Sequence, residues 1–305
     1  MRRTVSLRAT ALLAALGPAA SALIAAGTPR DPVAIVCARS GNVLVSDPSD
    51  VRQRSVELFQ WVIDGARIVT EKDSSVTLAF SSGKRYELGG GASATVARDE
   101  LLSQAGPVKA LTSVPSLPRV AAIAPDSPVV SRAGAARIRG ARVTGLYPRG
   151  DSRTLHDGTV LRFSPVAGAT TYKVEVEDET GKTVFDTEVH SSSVAISPGI
   201  LRPAARYVWR VRTLDRPGLA ARGEEEFETL SADDAAQRAL LKQALERSGD
   251  AASLPLLAEI DRRLGLLFDA REEFRTALAK SPENEGIRLA LKRLDDALRD
   301  TLLEP

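Results

Sequence analysis

The side chains best suited to chemistry are few and widely separated. Cys37 is the only cysteine, and His156 and His190 are the only histidines. One thiol cannot close an internal disulfide. A Cys-rich zinc site or an iron–sulfur cluster needs more soft ligands than the chain holds. His156-Asp157 precedes an apolar run, and His190 precedes Ser191-Ser192-Ser193, the residue types of a Ser/His/Asp hydrolase. No Gly-x-Ser-x-Gly elbow accompanies them, so both histidines read as surface turn residues. Glu224-Glu225-Glu226 and Asp295-Asp296 lack a Glu-x-x-His partner and read as exposed strand or helix edges. Gly89-Gly90-Gly91 has neither a following Gly-Lys-Ser/Thr nor a helix to present to a phosphate, and reads as a hairpin end. The sequence therefore predicts no catalytic, cofactor or metal residues. It predicts a protein that is not an enzyme, and it leaves the binding residues unassigned.

The elements around these residues carry more information. Hydrophobic residues make up 43% and charged residues 26% of the 305 positions, which is ordinary for folded domains. The 41 basic and 39 acidic side chains leave a net charge of +2, without the basic excess of a nucleic-acid binder. Residues 1–27 read as a signal peptide or an anchor. Arg2, Arg3 and Arg8 precede nineteen uncharged residues, Ala9 to Gly27, and Ala20-Ser21-Ala22 fits a cleavage site. Export with cleavage is expected, with an uncleaved inner-membrane anchor as the alternative. Val36 before Cys37 is a poor lipidation signal, so Cys37 reads as a small hydrophobe buried in a first strand.

Residues 33–98 predict a short all-β module, with strands at Val33–Val36, Asn42–Val45, Val56–Phe59, Val76–Phe80 and Arg85–Leu88. Gly41-Asn42-Val43, Asp64-Gly65-Ala66-Arg67-Ile68-Val69-Thr70 and the run Asp73–Gly83 resemble the FecR family, which implies the extracytoplasmic fold of envelope regulators. Residues 99–140 read as a linker: Pro107, Pro115, Pro118, Pro125 and Pro128 punctuate a run of low periodicity. Arg132, Arg137, Arg139, Arg142 and Arg149 follow. They could form a stripe for an anionic polymer, but without interleaved aromatics they read as solvated chain.

Residues 141–230 alternate strictly at Tyr172–Asp178 and Tyr207–Arg212, and predict a sandwich of short strands. Leu161 to Val174, with Phe163 in a tryptophan position, and then Leu201, Pro203, Tyr207, Trp209 and Val211 resemble fibronectin type III-like modules of bacterial envelope proteins. That resemblance implies a spacing or binding role. Residues 231–305 shift to Ala, Leu, Glu and Arg and predict helices at about 231–247, 251–264, 267–280 and 284–302. Leu254, Leu257, Ala258, Gly265, Ala270, Phe274, Ala277 and Pro282 resemble one tetratricopeptide repeat, with Asp261 where that pattern carries an aromatic. One such repeat leaves apolar surface uncovered. Association is therefore expected, with the chain's own modules, a second copy or an envelope protein.

The fold class predicted is thus multidomain: an all-β FecR-like domain, an Ig/fibronectin III-like β-sandwich, then an all-α helical hairpin repeat. The predicted role is a non-enzymatic, exported scaffold of the periplasm or cell envelope that binds a protein or cell-wall polymer and no nucleic acid. A membrane-anchored sensor of the FecR type is the alternative, and an envelope hydrolase ranks third.

Overall fold

The computed structural model describes residues 32–118, 141–150, 152–215 and 220–299. The leader 1–27 and Arg132, Arg137 and Arg139 lie outside the described residues.

The first ten strands form two five-stranded antiparallel sheets. In chain order they are β1 (Pro32–Ser40), β2 (Val43–Asp47), β3 (Asp50–Ser55), β4 (Trp61–Ile63), β5 (Arg67–Thr70), β6 (Ser75–Phe80), β7 (Arg85–Leu88), β8 (Ser93–Val96), β9 (Leu101–Ala105) and β10 (Val108–Leu111). One sheet runs β10-β7-β6-β1-β4 and the other β3-β2-β5-β8-β9. Ala34, Val36, Leu78 and Phe80 of the first sheet meet Val43, Val45, Ile68 and Val96 of the second in one core. Their neighbours Ile35, Cys37 and Ala79 are also fully buried, on the opposite face of the first sheet. A strand covered on both faces is apolar at successive positions, which is the pattern of Val33 to Cys37.

Three sequence expectations change here. Residues 101–111 are paired strands rather than linker: β9 joins β8 and β10 joins β7. Both are edge strands. Only Leu101 among β9's residues is buried, so they carry no apolar alternation to read. Gly106 turns between them at φ +72°, with its Cα against Ala92, where a Cβ would come within 2.6 Å of backbone. Val56–Phe59 is not a strand: β3 ends at Ser55, and Phe59 has φ +65°. Gly89-Gly90-Gly91 is no hairpin end but the crossover from β7 in one sheet to β8 in the other.

The second module holds β11 (Arg153–Thr154), β12 (Val160–Arg162), β13 (Tyr172–Asp178), β14 (Thr183–Val189), β15 (Ser193–Ala195), β16 (Arg206–Thr213) and β17 (Arg222–Thr229). A sheet ordered β11-β17-β16-β13-β14 lies across from the pair β12-β15. The β13–β16 register sets Val174 opposite Val211 and Val176 opposite Trp209, so the inward residues of both strands fall on one face. Trp209 is fully buried, and its indole N–H donates to Pro148 O at 2.8 Å. Tyr172 and Tyr207 are buried too, and their hydroxyls accept from Val166 N at 2.9 Å and Arg202 N at 2.7 Å. Each aromatic thus satisfies its polar end inside the core.

Four helices complete the chain: α1 (Ala232–Ser248), α2 (Ser253–Leu264), α3 (Leu267–Lys280) and α4 (Glu285–Leu298). Ser231 caps α1 through Asp234 N, and Asn284 caps α4 through Ile287 N, each at 3.1 Å. Gly249 and Gly265 end α1 and α2 in the left-handed conformation. Helices α2 and α3 form the closely packed hairpin expected of residues 251–284. Among the described residues no helix is long and apolar enough to cross a membrane.

Trp209 is the largest fully buried side chain of the second module. Trp209→Ala is expected to cost about 3–5 kcal/mol in denaturant unfolding. A loss below about 1 kcal/mol, the range of surface substitutions, would contradict its place in the core.

Candidate functional site

The residues with chemical potential are kept apart. His156 Nε2 lies 3.4 Å from Asp157 of its own turn, and Asp157 accepts from Gly199 N at 3.0 Å. His190 Nδ1 contacts Thr170 O at 3.1 Å and Thr171 Oγ1 at 3.4 Å. Ser191 donates to Ser193 O at 2.6 Å. His156 thus meets Asp157 while Ser191 bonds backbone, and among the described residues these side chains form no Ser-His-Asp relay. Glu224 pairs with Arg210 at 2.5 Å, Asp295 with Arg271 at 2.6 Å, and Asp296 with Arg299. Among the described residues no three His, Cys, Asp or Glu side chains converge on a metal geometry.

What the fold does bring together is a hub. The helical module packs against both β modules, and three kinds of contact join it to the first. The apolar kind is the outer face of β1 and β6. Ile35, Cys37 and Ala79 share a core with Leu256 and Ile260 of α2 and Leu241 of α1. Cys37 donates weakly to Thr77 O at 3.4 Å, and burial pushes its thiol up to about 12, which keeps it in the unreactive protonated form. The ionic kind is Arg85 on β7, whose buried side chain reaches Asp250 between α1 and α2 at 2.7 Å. Burial alone would raise the Asp250 carboxyl, yet the Arg85 guanidinium holds it below its ordinary value.

The third contact is the turn Leu58-Phe59-Gln60-Trp61. Phe59 packs edge-on against Phe274 of α3, ring centroids 5.4 Å apart. Arg263 of α2 lies over the Trp61 ring at 5.1 Å. Leu58 lies on the backbone of Gly286 in α4, where any Cβ would come within 2.8 Å of its side chain. An aromatic residue at φ +65° is an uncommon conformation, and here it aims the Phe59 ring into the helices.

The second module joins the same helices from another side. Arg153 N–H donates to Gly265 O at 2.8 Å, and Tyr147 OH accepts from Phe268 N at 3.2 Å. Arg162 stacks over Phe268 at 4.3 Å, and Arg149 donates to Ala297 O. Much of the apolar surface expected on a lone helical hairpin is thus covered by the chain's own modules, one of the three outcomes the sequence left open.

Inside the hub, Asp261 is fully buried and takes both oxygens to Arg238 of α1, with Nε–Oδ1 at 2.9 Å. Glu259, also buried, holds Arg262 at 2.7 Å and Arg263 at 2.6 Å. Sequence reasoning assigned none of these residues. One signal was available: an aspartate at the aromatic position of a helical repeat must find a cation if it is buried.

No family model matches this chain, and no curated protein matches it. Among solved structures, CopC from Methylosinus trichosporium OB3b aligns with 30% of this chain and 94% of its own, at 17% identity and a TM-score of 0.24. A two-domain fibronectin type III segment from chicken tenascin aligns with 65% of this chain and 95% of its own, at 10% identity and a TM-score of 0.23. The fold class rests on the strand order and register described above.

Two substitutions test the hub. Asp261→Ala removes the bidentate partner of the buried Arg238 guanidinium and is expected to cost about 3–5 kcal/mol in urea unfolding. Phe59→Ala and Phe59→Gly both remove the ring, but only alanine keeps a Cβ at positive φ. The glycine variant should therefore be the more stable of the two by about 1 kcal/mol. Equal midpoints would show that Phe59 carries no backbone strain.

Proposed function

We propose that this chain is an exported, non-enzymatic scaffold of the cell envelope that presents two β modules in fixed relation to a protein or cell-wall polymer. The observation that carries this reading is the use made of the chain's reactive side chains. Cys37, Arg85 and Asp250 are spent on joining modules, Asp261 on holding α1 to α2, and His156 and His190 on turns. The leader with its Arg2-Arg3 start and Ala20-Ser21-Ala22 site supports export. The resemblance of residues 33–98 to the FecR family and of residues 251–284 to a tetratricopeptide repeat supports an extracytoplasmic binding role.

A second reading, a membrane-anchored sensor, is favoured by one feature: nineteen uncharged residues approach the roughly 20 that span a bilayer. The two separate on the mature amino terminus. Terminal sequencing of the full chain recovered from an envelope fraction should begin at or a few residues beyond Leu23. An intact Met1 in the membrane pellet would overturn cleavage and favour the anchor. For the scaffold reading, in-cell cross-linking of the full chain should give one recurrent envelope partner or attachment to isolated cell wall. Failure of both would defeat it.

A further inference from the structure

Charge at the junction of α1, α2 and α3 does not balance. Arg238 and Lys242 project from successive turns of α1, Asp261 comes from α2, and Asp269 and Glu273 from successive turns of α3. Arg238 Nη2 contacts Asp261, lies 3.8 Å from Asp269 and 3.5 Å from Glu273, and Lys242 Nζ is also 3.5 Å from Glu273. With every group ionised, these are two cations against three carboxylates. The bidentate bond to Asp261 uses the strongest geometry that Arg238 offers. Glu273 receives only long contacts on Oε1. Its other oxygen, Oε2, is buried with no hydrogen-bond partner among the described residues. An ionised carboxylate needs both oxygens solvated or bonded, whereas a carboxylic acid needs fewer acceptors filled and carries no charge into the interior.

We propose that this junction is a proton-binding site in which Glu273 holds one proton at neutral pH, and that losing it at alkaline pH loosens the helical hub. Burial, with the negative charge of Asp261 beside it, raises the Glu273 carboxyl to about 9 against the opposing pull of Arg238 and Lys242. The location gives the proton a structural reach. Helix α1 follows directly from β17 of the second module. Its Gln237 side chain donates to Ser116 O of the first module at 2.9 Å, and its Leu241 and Leu245 lie in the core shared with β1. Separating α1 from α2 and α3 would therefore disturb the core that the helices share with β1, at the point where the chain enters from β17.

The sign follows from linkage. An unfolded glutamate titrates near 4.3, so between that value and about 9 the native chain keeps a proton that the unfolded chain has lost. The stabilisation is full below the lower value and is lost as pH rises through the upper one. Across this interval the ratio of folded to unfolded chain should fall up to about tenfold per pH unit. Glu273→Gln mimics the protonated state, so in urea unfolding from pH 5 to pH 10 the full-length variant should lack this decline and exceed the parent chain above pH 9. Parallel profiles would overturn the proposal. A direct measurement stands apart from the variant's folding: a carbon-13 NMR titration of the Glu273 carboxyl in the unmutated chain. Protonated Glu273 at pH 7 is the expected result, and titration in the ordinary range near 4.3 would refute the site.

Discussion

β1 is a strand with no solvent face along its central residues, and the rest of the architecture follows from that constraint. Ala34 and Val36 belong to the sandwich core, while Ile35 and Cys37 belong to the core shared with α1 and α2. A sheet face of this kind cannot stand in water, because several fully apolar side chains would be exposed together. The helical module is what covers it. The first and third parts of the chain are therefore joined by a common hydrophobic layer, of the kind that fixes orientation between domains rather than permitting free swivelling. The second module adds Leu230 and Leu155 to the edge of that layer and is further tied to the helices by polar and aromatic contacts at Gly265, Phe268 and Ala297.

The hub is also unusually ionic for an interior. Asp261, Glu259, Arg238, Arg271 and Glu273 are all buried, and Arg85 is buried at the seam with β7. Taking such groups out of water costs several kcal/mol per ion, and pairing them recovers that only with good geometry. Apolar residues of similar volume would stabilise the helices as well or better. What the charges add is direction: Arg238 fits Asp261 in one register of α1 against α2, and Asp250 fits Arg85 in one placement of the hub on the sandwich.

The sequence made much of the fold legible where one face of an element is wet and the other dry. β13 and β16 were evident from Tyr172–Asp178 and Tyr207–Arg212, and the helices from capping residues and glycines. Legibility failed in two ways. β9 and β10 expose most of their side chains, so nothing in their residue types separates edge strand from linker. Val56–Phe59 failed in the opposite sense: its apolar residues resemble a strand, but Leu58 and Phe59 are apolar because helices arrive there from more than 200 residues away in sequence. The hub was hidden for the same reason. Neither Asp261 nor Arg238 carries any local mark of the other, and only the Asp261 departure from an aromatic position hinted at a buried charge.

The covering of β1 has a consequence for how the chain comes into being. Arg85 and Asp250 are 165 residues apart, and most of the layer over Ile35 and Cys37 comes from residues 230–266, beside Val114 and Leu117. Synthesis runs from the amino terminus, so both sheets of the first sandwich can pair long before the helices that complete its outer face exist. During that interval an apolar strip on a finished sheet faces solvent, which is the condition under which partly made chains stick to one another. A chain arrested before residue 232 should therefore be an aggregation-prone species, in need of a chaperone or of rapid completion. The outer face of β1 is closed by helices made well after the sandwich to which that strand belongs.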